Sequence, residues 1–349
     1  RPLQPGFGYS VNVKSELFAG HSPDEAGFLN EWTHRPGAGI MPVRVPLIIE
    51  RLLPSTSLVG RVMRKLLGRA LKEDVRNIPL HLLAHLGREG TNAYEYDYKL
   101  SSLFTQGKIE RFLYTEYGGD VPAFDALISR LGTSCEPVHA FLAGANLDHV
   151  MHKCGIGTKE YESAIQQTID RLKELVHALR SRPGNAQLVL VSDHGMAPVQ
   201  RSVSIDLEEP FGRAGEAYGY FVDATMLRVW CSDSSLLQRI RNHICEKELP
   251  GRFLDSDERT KWGVSSNAFG DLLLLLDEGV MFAPGFMGRA PVKAMHGYLP
   301  NLASQTGLLM ATAPLFEGAD QGAVPATEAF RAFQTFFDAT HDRRIQKVE

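Results

Sequence analysis

Leu188-Val189-Leu190-Val191-Ser192-Asp193-His194-Gly195-Met196 is the stretch whose reading decides the fold. A short apolar, β-branched run that stops at Ser-Asp-His-Gly predicts a buried strand emptying into a loop. Open α/β sheets bind their ligands beyond the carboxyl ends of such strands. Asp193 and His194 stand there together, and both side chains can ligate a metal. Taken alone, the pair reads equally well as a capped loop with a hydrogen-bonded histidine.

Two further segments give the pair a context. Val138-His139-Ala140-Phe141-Leu142 predicts a second short strand, followed by Asp148-His149-Val150-Met151-His152 and a stop at Gly155. Residues four apart share a helix face, so Asp148 and His152 point the same way while His149 points elsewhere and reads as structural. A carboxylate and an imidazole in that relation suit zinc or a similar ion. Met295-His296-Gly297-Tyr298 follows a Pro-containing stretch. A lone His-Gly is more often a turn, but His296 completes a set of two Asp and three His in three loops. That is the raw material for a two-metal site acting on a phosphoryl group.

In this order, Asp-x-x-x-His then Gly, Ser-Asp-His-Gly-Met and His-Gly-Tyr resemble the alkaline phosphatase superfamily. The branch most similar is that of type I phosphodiesterases and nucleotide pyrophosphatases. The resemblance implies one metal held by Asp148, His152 and His296. It implies a second held by Asp193, His194, the nucleophile and one further Asp. Zinc is the expected ion at both, with manganese the alternative. The family's nucleophile is a Thr or Ser at a helix start, about ten residues before a Gly. In Gly8-Tyr9-Ser10-Val11-Asn12-Val13-Lys14, Ser10 has that place relative to Gly20, and Lys14 stands where relatives keep an Arg or His near the substrate anion. An isolated Ser there would be an N-cap. Ser15 is the competing nucleophile and has the wrong spacing. The sulfatase relatives match less well, because Val11-Asn12 replaces their Pro.

The further Asp has no counterpart among the nine residues before Ser10, none of which is Asp or Glu. Arg1-Pro2-Leu3-Gln4-Pro5-Gly6-Phe7 reads as a mid-domain loop. The expectation is that the natural chain begins earlier, and that this chain lacks a first strand carrying that ligand.

A length of 349 residues suits one large α/β domain with insertions, or two domains. Hydrophobic content of 44% and charged content of 22% are globular values. A net charge of -4 argues against a nucleic-acid polymer as partner. Cys135, Cys154, Cys231 and Cys245 form no C-x-x-C and read as free buried thiols in a reducing, cytoplasmic compartment. No run reaches the length of a transmembrane helix.

The motifs predict an α/β/α three-layer sandwich with a mainly parallel sheet. Core segments at 1–30, 131–200 and 291–349 flank a cap-like insertion at 31–130 and an accessory insertion at 201–290. Ile165, Ile169, Leu172, Val176 and Leu179 repeat at three and four, predicting a helix that Pro183-Gly184 ends. A strand is predicted at Gly307-Leu308-Leu309-Met310-Ala311, and a closing helix around Phe330, Phe333 and Phe336-Phe337. In the cap, Leu58, Val59, Val62, Met63, Leu66 and Leu67 make an apolar stripe among Arg61, Arg64, Lys65 and Arg69. Packing on its own domain is the leading reading, and a membrane surface contacted through 57–70 the second. His81 and His85, four apart, have no carboxylate nearby in sequence and read as structural or substrate-facing. Tyr94, Tyr96 and Tyr98 alternate as on a strand.

The resemblance implies a metal-dependent hydrolase of phosphate esters. Ser10 attacks phosphorus, a phosphoseryl intermediate forms, and two in-line steps give retention. The partner expected is a small-molecule phosphate ester or phosphonate. The alternatives are a phosphonate hydrolase, phosphomonoesterase or phosphotransferase on the same scaffold, and a binding protein that keeps the fold without catalysis.

Overall fold

The computed structural model of the protein describes residues 1–27, 30–40, 58–71, 75, 77–88, 109–183, 186–312, 314–316 and 322–345. The deciding run becomes the strand Val189–Ser192. It pairs antiparallel with Gly307–Ala311, Leu308 facing Ser192 and Ala311 facing Val189. That strand in turn pairs antiparallel with Pro2–Gln4, which runs parallel to Val324–Pro325.

The loop expected at Arg1–Phe7 is therefore corrected: three of its residues form a strand inside the central sheet. Composition hid it. Pro2 donates no hydrogen bond, but it stands at the first position of the strand, where proline is tolerated. Leu3 is fully buried and drives the pairing. It packs with Val13, Leu17 and Phe18 of the helix Ser10–Ala19 and with Phe330 and Phe333 of the helix Ala326–Ile345. Each such side chain contributes about 1.5–3 kcal/mol on burial.

The metal-loop strand predicted near 138–142 forms at Ala140–Ala143 and pairs parallel with Glu110–Leu113. The helices Asp120–Thr133 and Lys159–Arg180 pack on each other, and Phe112, Phe124, Leu131, Leu175 and Leu142 share one cluster. Residues 110–133 thus pack with the segment carrying Asp148. A further antiparallel sheet, in the order Gly251–Phe253, Leu272–Leu276, Met226–Trp230, Gly219–Val222, lies within 201–290. Its Phe221, Leu227 and Leu274 join Trp32, Leu80, Leu82 and Leu86 in one apolar core.

The architecture is α/β as expected, but the pairing is mixed rather than mainly parallel. Pro2–Gln4 and Val189–Ser192 both run antiparallel to Gly307–Ala311, and the four-stranded sheet within 201–290 is antiparallel throughout, while Val280–Phe282 pairs parallel with Arg201–Val203.

The basic amphipathic stretch forms the helix Leu58–Leu71. Leu67 packs against the core, while Val62 and Leu66 stay about half exposed, at 52% and 48%. The alternating tyrosines at 94, 96 and 98 lie outside the described residues. Among those described, no helix is long and apolar enough to cross a membrane. The four cysteines are free, but Cys135 and Cys245 are exposed, so the expectation of buried thiols holds fully only for Cys231.

Candidate active site

Ser10 is the first residue of its helix, and the N-cap is Tyr9, in an extended conformation and without a side-chain cap. The Ser10 hydroxyl is therefore not consumed as a cap. It lies 2.7 Å from Nε2 of His194. The His194 Nδ1 donates to the carbonyl of Gly195 at 2.9 Å, which leaves Nε2 as the acceptor and makes Ser10 the donor. Ser15, the competing nucleophile, is buried and donates to the carbonyl of Asn12 at 2.7 Å. Its hydroxyl is tied into its own helix.

Gly195 follows for a steric reason. Its N–H donates to the carbonyl of Gln305 at 2.8 Å, and a side chain there would overlap the carbonyl of Ser304. Close backbone approach fixes the turn that presents Asp193 and His194.

Asp148 and His152 occupy one face of the helix Asn146–Cys154, with Asp148 Oδ1 3.4 Å from His152 Nε2. His149, one residue on from Asp148, is exposed and takes no part. His152 Nδ1 donates to the carbonyl of Ala294 at 2.8 Å, so its Nε2 carries the free lone pair. This outer hydrogen bond sets ring direction and tautomer, as it does in metal sites. His296 is 5% exposed and stacks on His194 with centroids 3.7 Å apart. Its Nε2 lies 3.8 Å from Asp148 Oδ1. Burial first, then the neighbouring His194, His152 and Lys14, hold its pKa well below the ordinary value. It is the neutral imidazole, the form that ligates. Lys14, one turn along the helix from Ser10, places Nζ 3.9 Å from Asp193 Oδ2, and that oxygen is 3.7 Å from His194 Nε2.

All seven residues singled out in the sequence, Ser10, Lys14, Asp148, His152, Asp193, His194 and His296, are thus linked through short contacts. The donor set fits a divalent cation. Ligand atoms of Asp148, His194 and His296 lie within 4.8 Å of one another, and Asp148 Oδ1 is buried with no hydrogen-bond partner. A carboxylate oxygen withdrawn from water and left without a donor favours a cation beside it.

The histidines of the cap make their hydrogen bonds elsewhere. His81 Nε2 meets Glu208 Oε1 at 2.6 Å, and His85 Nδ1 accepts from Gly37 N–H at 3.1 Å. The carboxylate absent from the nearby sequence arrives from residue 208. The segment is a tight 3-10 turn, Leu80–Ala84, and not the α-helical face that a spacing of four would need.

Sequence reasoning missed three supports. Gln305 is buried and accepts Gly297 N–H at 2.9 Å through its side chain while its own carbonyl accepts Gly195 N–H. It joins the loops of His194 and His296. Tyr9 packs edge-on against His296, and Thr225 bonds to Tyr9 and to the carbonyl of Gly297. Tyr9 had a signal, its place beside Ser10; Thr225 and Gln305 had none.

The sequence profile of the type I phosphodiesterase/nucleotide pyrophosphatase family matches residues 105–299, a span that holds Asp148, His152, Asp193, His194 and His296. The chain belongs to that family. Solved structures agree on the fold. Human ectonucleotide pyrophosphatase/phosphodiesterase 5 is similar with a TM-score of 0.66 at 12% identity, over 97% of this chain and 86% of that one. The murine protein gives 0.62 at 13% identity, over 97% and 86%. An inactive threonine-to-alanine variant of the murine protein, in complex with AMP, gives 0.58 at 15% identity, over 95% and 84%. No curated protein matches the chain.

Proposed function

We propose that the protein is a metal-dependent hydrolase of phosphodiesters or nucleotide pyrophosphates, with Ser10 as nucleophile. The observation that carries this reading is the Ser10 hydroxyl donating to an imidazole whose other nitrogen is already committed. A helix-start hydroxyl that is not used as a cap and lies against an imidazole of the Asp/His cluster stands where an activated nucleophile belongs. The AMP bound to the murine relative supports a nucleotide-like substrate.

Asp148, His152 and His296 would hold one cation, and Asp193 and His194 a second. Zinc or manganese bound there would supply positive charge beside the attacking and leaving oxygens. The chain's own groups carry the rest. Ser10 Oγ forms a bond to phosphorus as the bond to the leaving oxygen breaks. In this structure the hydroxyl proton points at His194 Nε2. That nitrogen has one lone pair, so when His194 ligates through it the hydrogen bond is lost, the cation's charge would lower the hydroxyl's pKa, and the Ser10 proton would pass to solvent water. Lys14 and the N–H groups at the helix start hold the non-bridging oxygens. Water then attacks the seryl phosphoester from the opposite side, and Ser10 is released with its proton restored.

The test is steady-state hydrolysis of bis(p-nitrophenyl) phosphate, with p-nitrophenyl phosphate and phenylphosphonate as comparators. The diester is expected to be the preferred substrate, and Ser10→Ala to abolish its turnover with metal content retained. Residual kcat above about a tenth of wild type, a barrier change below about 1.4 kcal/mol, would remove Ser10 as nucleophile. Preference for the monoester or the phosphonate would move the protein to another activity on the same scaffold.

A further inference from the structure

Tyr9 immediately precedes Ser10, and its side chain is held by a closed set of hydrogen bonds reaching two distant segments. The phenol oxygen is 2.9 Å from Thr225 Oγ1 and accepts Thr225 N–H at 2.8 Å. Thr225 Oγ1 donates its one proton to the carbonyl of Gly297 at 2.7 Å. A hydroxyl has a single proton, so in the side-chain pair Tyr9 must be the donor and Thr225 the acceptor. Every proton in the chain Tyr9, Thr225, Gly297 is then assigned. Thr225 is fully buried.

The same ring makes contacts on the reaction side. It meets the His296 imidazole edge-on, with centroids 5.8 Å apart and planes at 74°. Gly297, beside His296, has φ +86°, and a Cβ there would lie 2.6 Å from Tyr9 Cε1. The ring therefore fills the space that a side chain at 297 would need. At its backbone, Tyr9 is the N-cap whose carbonyl accepts Asn12 N–H at 2.9 Å and Val13 N–H at 3.2 Å. Fixing the Tyr9 side chain fixes the φ and ψ from which Ser10 departs.

We propose that Tyr9 is a positioning residue for the reaction: locked to Thr225, it sets the aim of the Ser10 hydroxyl and the seat of His296 together. The inference rests on the reading of Ser10 as nucleophile. It makes the segment 201–290 part of the catalytic frame, because Thr225 enters from the turn between its strands Gly219–Val222 and Met226–Trp230. A displacement of about 1 Å in a reacting group costs on the order of a hundredfold in rate. Loss of one locking hydrogen bond, with the ring retained, should cost less.

The experiment compares Tyr9→Phe, Thr225→Val, Thr225→Ser, the Tyr9→Phe/Thr225→Val pair and Ser10→Ala, on zinc-loaded protein with bis(p-nitrophenyl) phosphate. Rates are normalised to folded protein by circular dichroism. Tyr9→Phe is expected to lower kcat about tenfold with KM and bound zinc unchanged within about twofold. Thr225→Val should do the same, Thr225→Ser should restore kcat, and the double variant should lose less than the two single losses combined, since both singles break the shared Tyr9–Thr225 side-chain bond. A purely structural role would lower Tm and leave the kcat of the folded fraction alone. Wild-type kcat in folded Tyr9→Phe, or equal kcat in folded Thr225→Val and Thr225→Ser, overturns the inference while Ser10→Ala remains inactive. If Tyr9→Phe fails to fold, the Thr225 pair decides the matter. Turnover by Ser10→Ala overturns the nucleophile reading itself, and the inference with it.

Discussion

Glu16 shows how a single residue carries strain at the nucleophile's helix. It is 6% exposed, and a side chain at Gly6 would overlap its carboxyl. Burial first, and the charge of Glu25 second, push its pKa from an ordinary 4.5 up to about 8. An acid whose pKa is higher folded than unfolded favours folding most at low pH. That contribution is full below 4.5 and is lost as pH rises through about 8. Glu16→Gln is expected to remove this slope and to be more stable than wild type at about pH 9, by on the order of a few kcal/mol. Denaturant midpoints of both proteins at about pH 5 and pH 9 check this; parallel pH profiles would refute it. No sequence pattern distinguishes such a glutamate from the exposed ones on other helices. The ligand-type side chains are different. Asp148, His152, Asp193 and His194 were legible because helix spacing and a strand end place them locally. Tyr9 and Thr225 are 216 positions apart, and only the fold brings them together.

At the scale of elements, the helix Asn146–Cys154 makes a sharp contrast between neighbours. Asp148 faces His152 and His296, while His149 is exposed. Asp148→Asn is expected to weaken zinc binding at least tenfold by titration calorimetry, and His149→Gln to leave it unchanged. Equal losses would mean that the helix face is misassigned. The periodic helix Lys159–Arg180 was readable because its apolar positions recur at three and four over many turns. Pro2–Gln4 was not, because three residues carry too little alternation, and a proline at its first position and another just after it suggest a loop. The spacing of His81 and His85 carries no information on a shared face, because four residues mean one face only in an α-helix and Leu80–Ala84 is a 3-10 turn.

For the molecule as a whole, the class was legible and the assembly of its parts was not. Strand-helix-strand alternation around the metal motifs announces an α/β core. The apolar cluster uniting Trp32, Leu80 and Leu86 with Phe221, Leu227 and Leu274 joins segments more than a hundred residues apart. Each segment alone reads as an independent insertion, because burial of one face against the other leaves no trace in local pattern. This arrangement positions Thr225 against Tyr9 and closes the frame around Ser10 and His296. The central claim is that hydrolysis passes through a covalent bond to Ser10. The stereochemical course at phosphorus tests it most directly, using a phosphodiester of defined configuration made chiral with sulfur and oxygen isotopes. Two in-line displacements, by Ser10 and then by water, predict net retention. Net inversion would mean a single direct attack by water and would contradict the account.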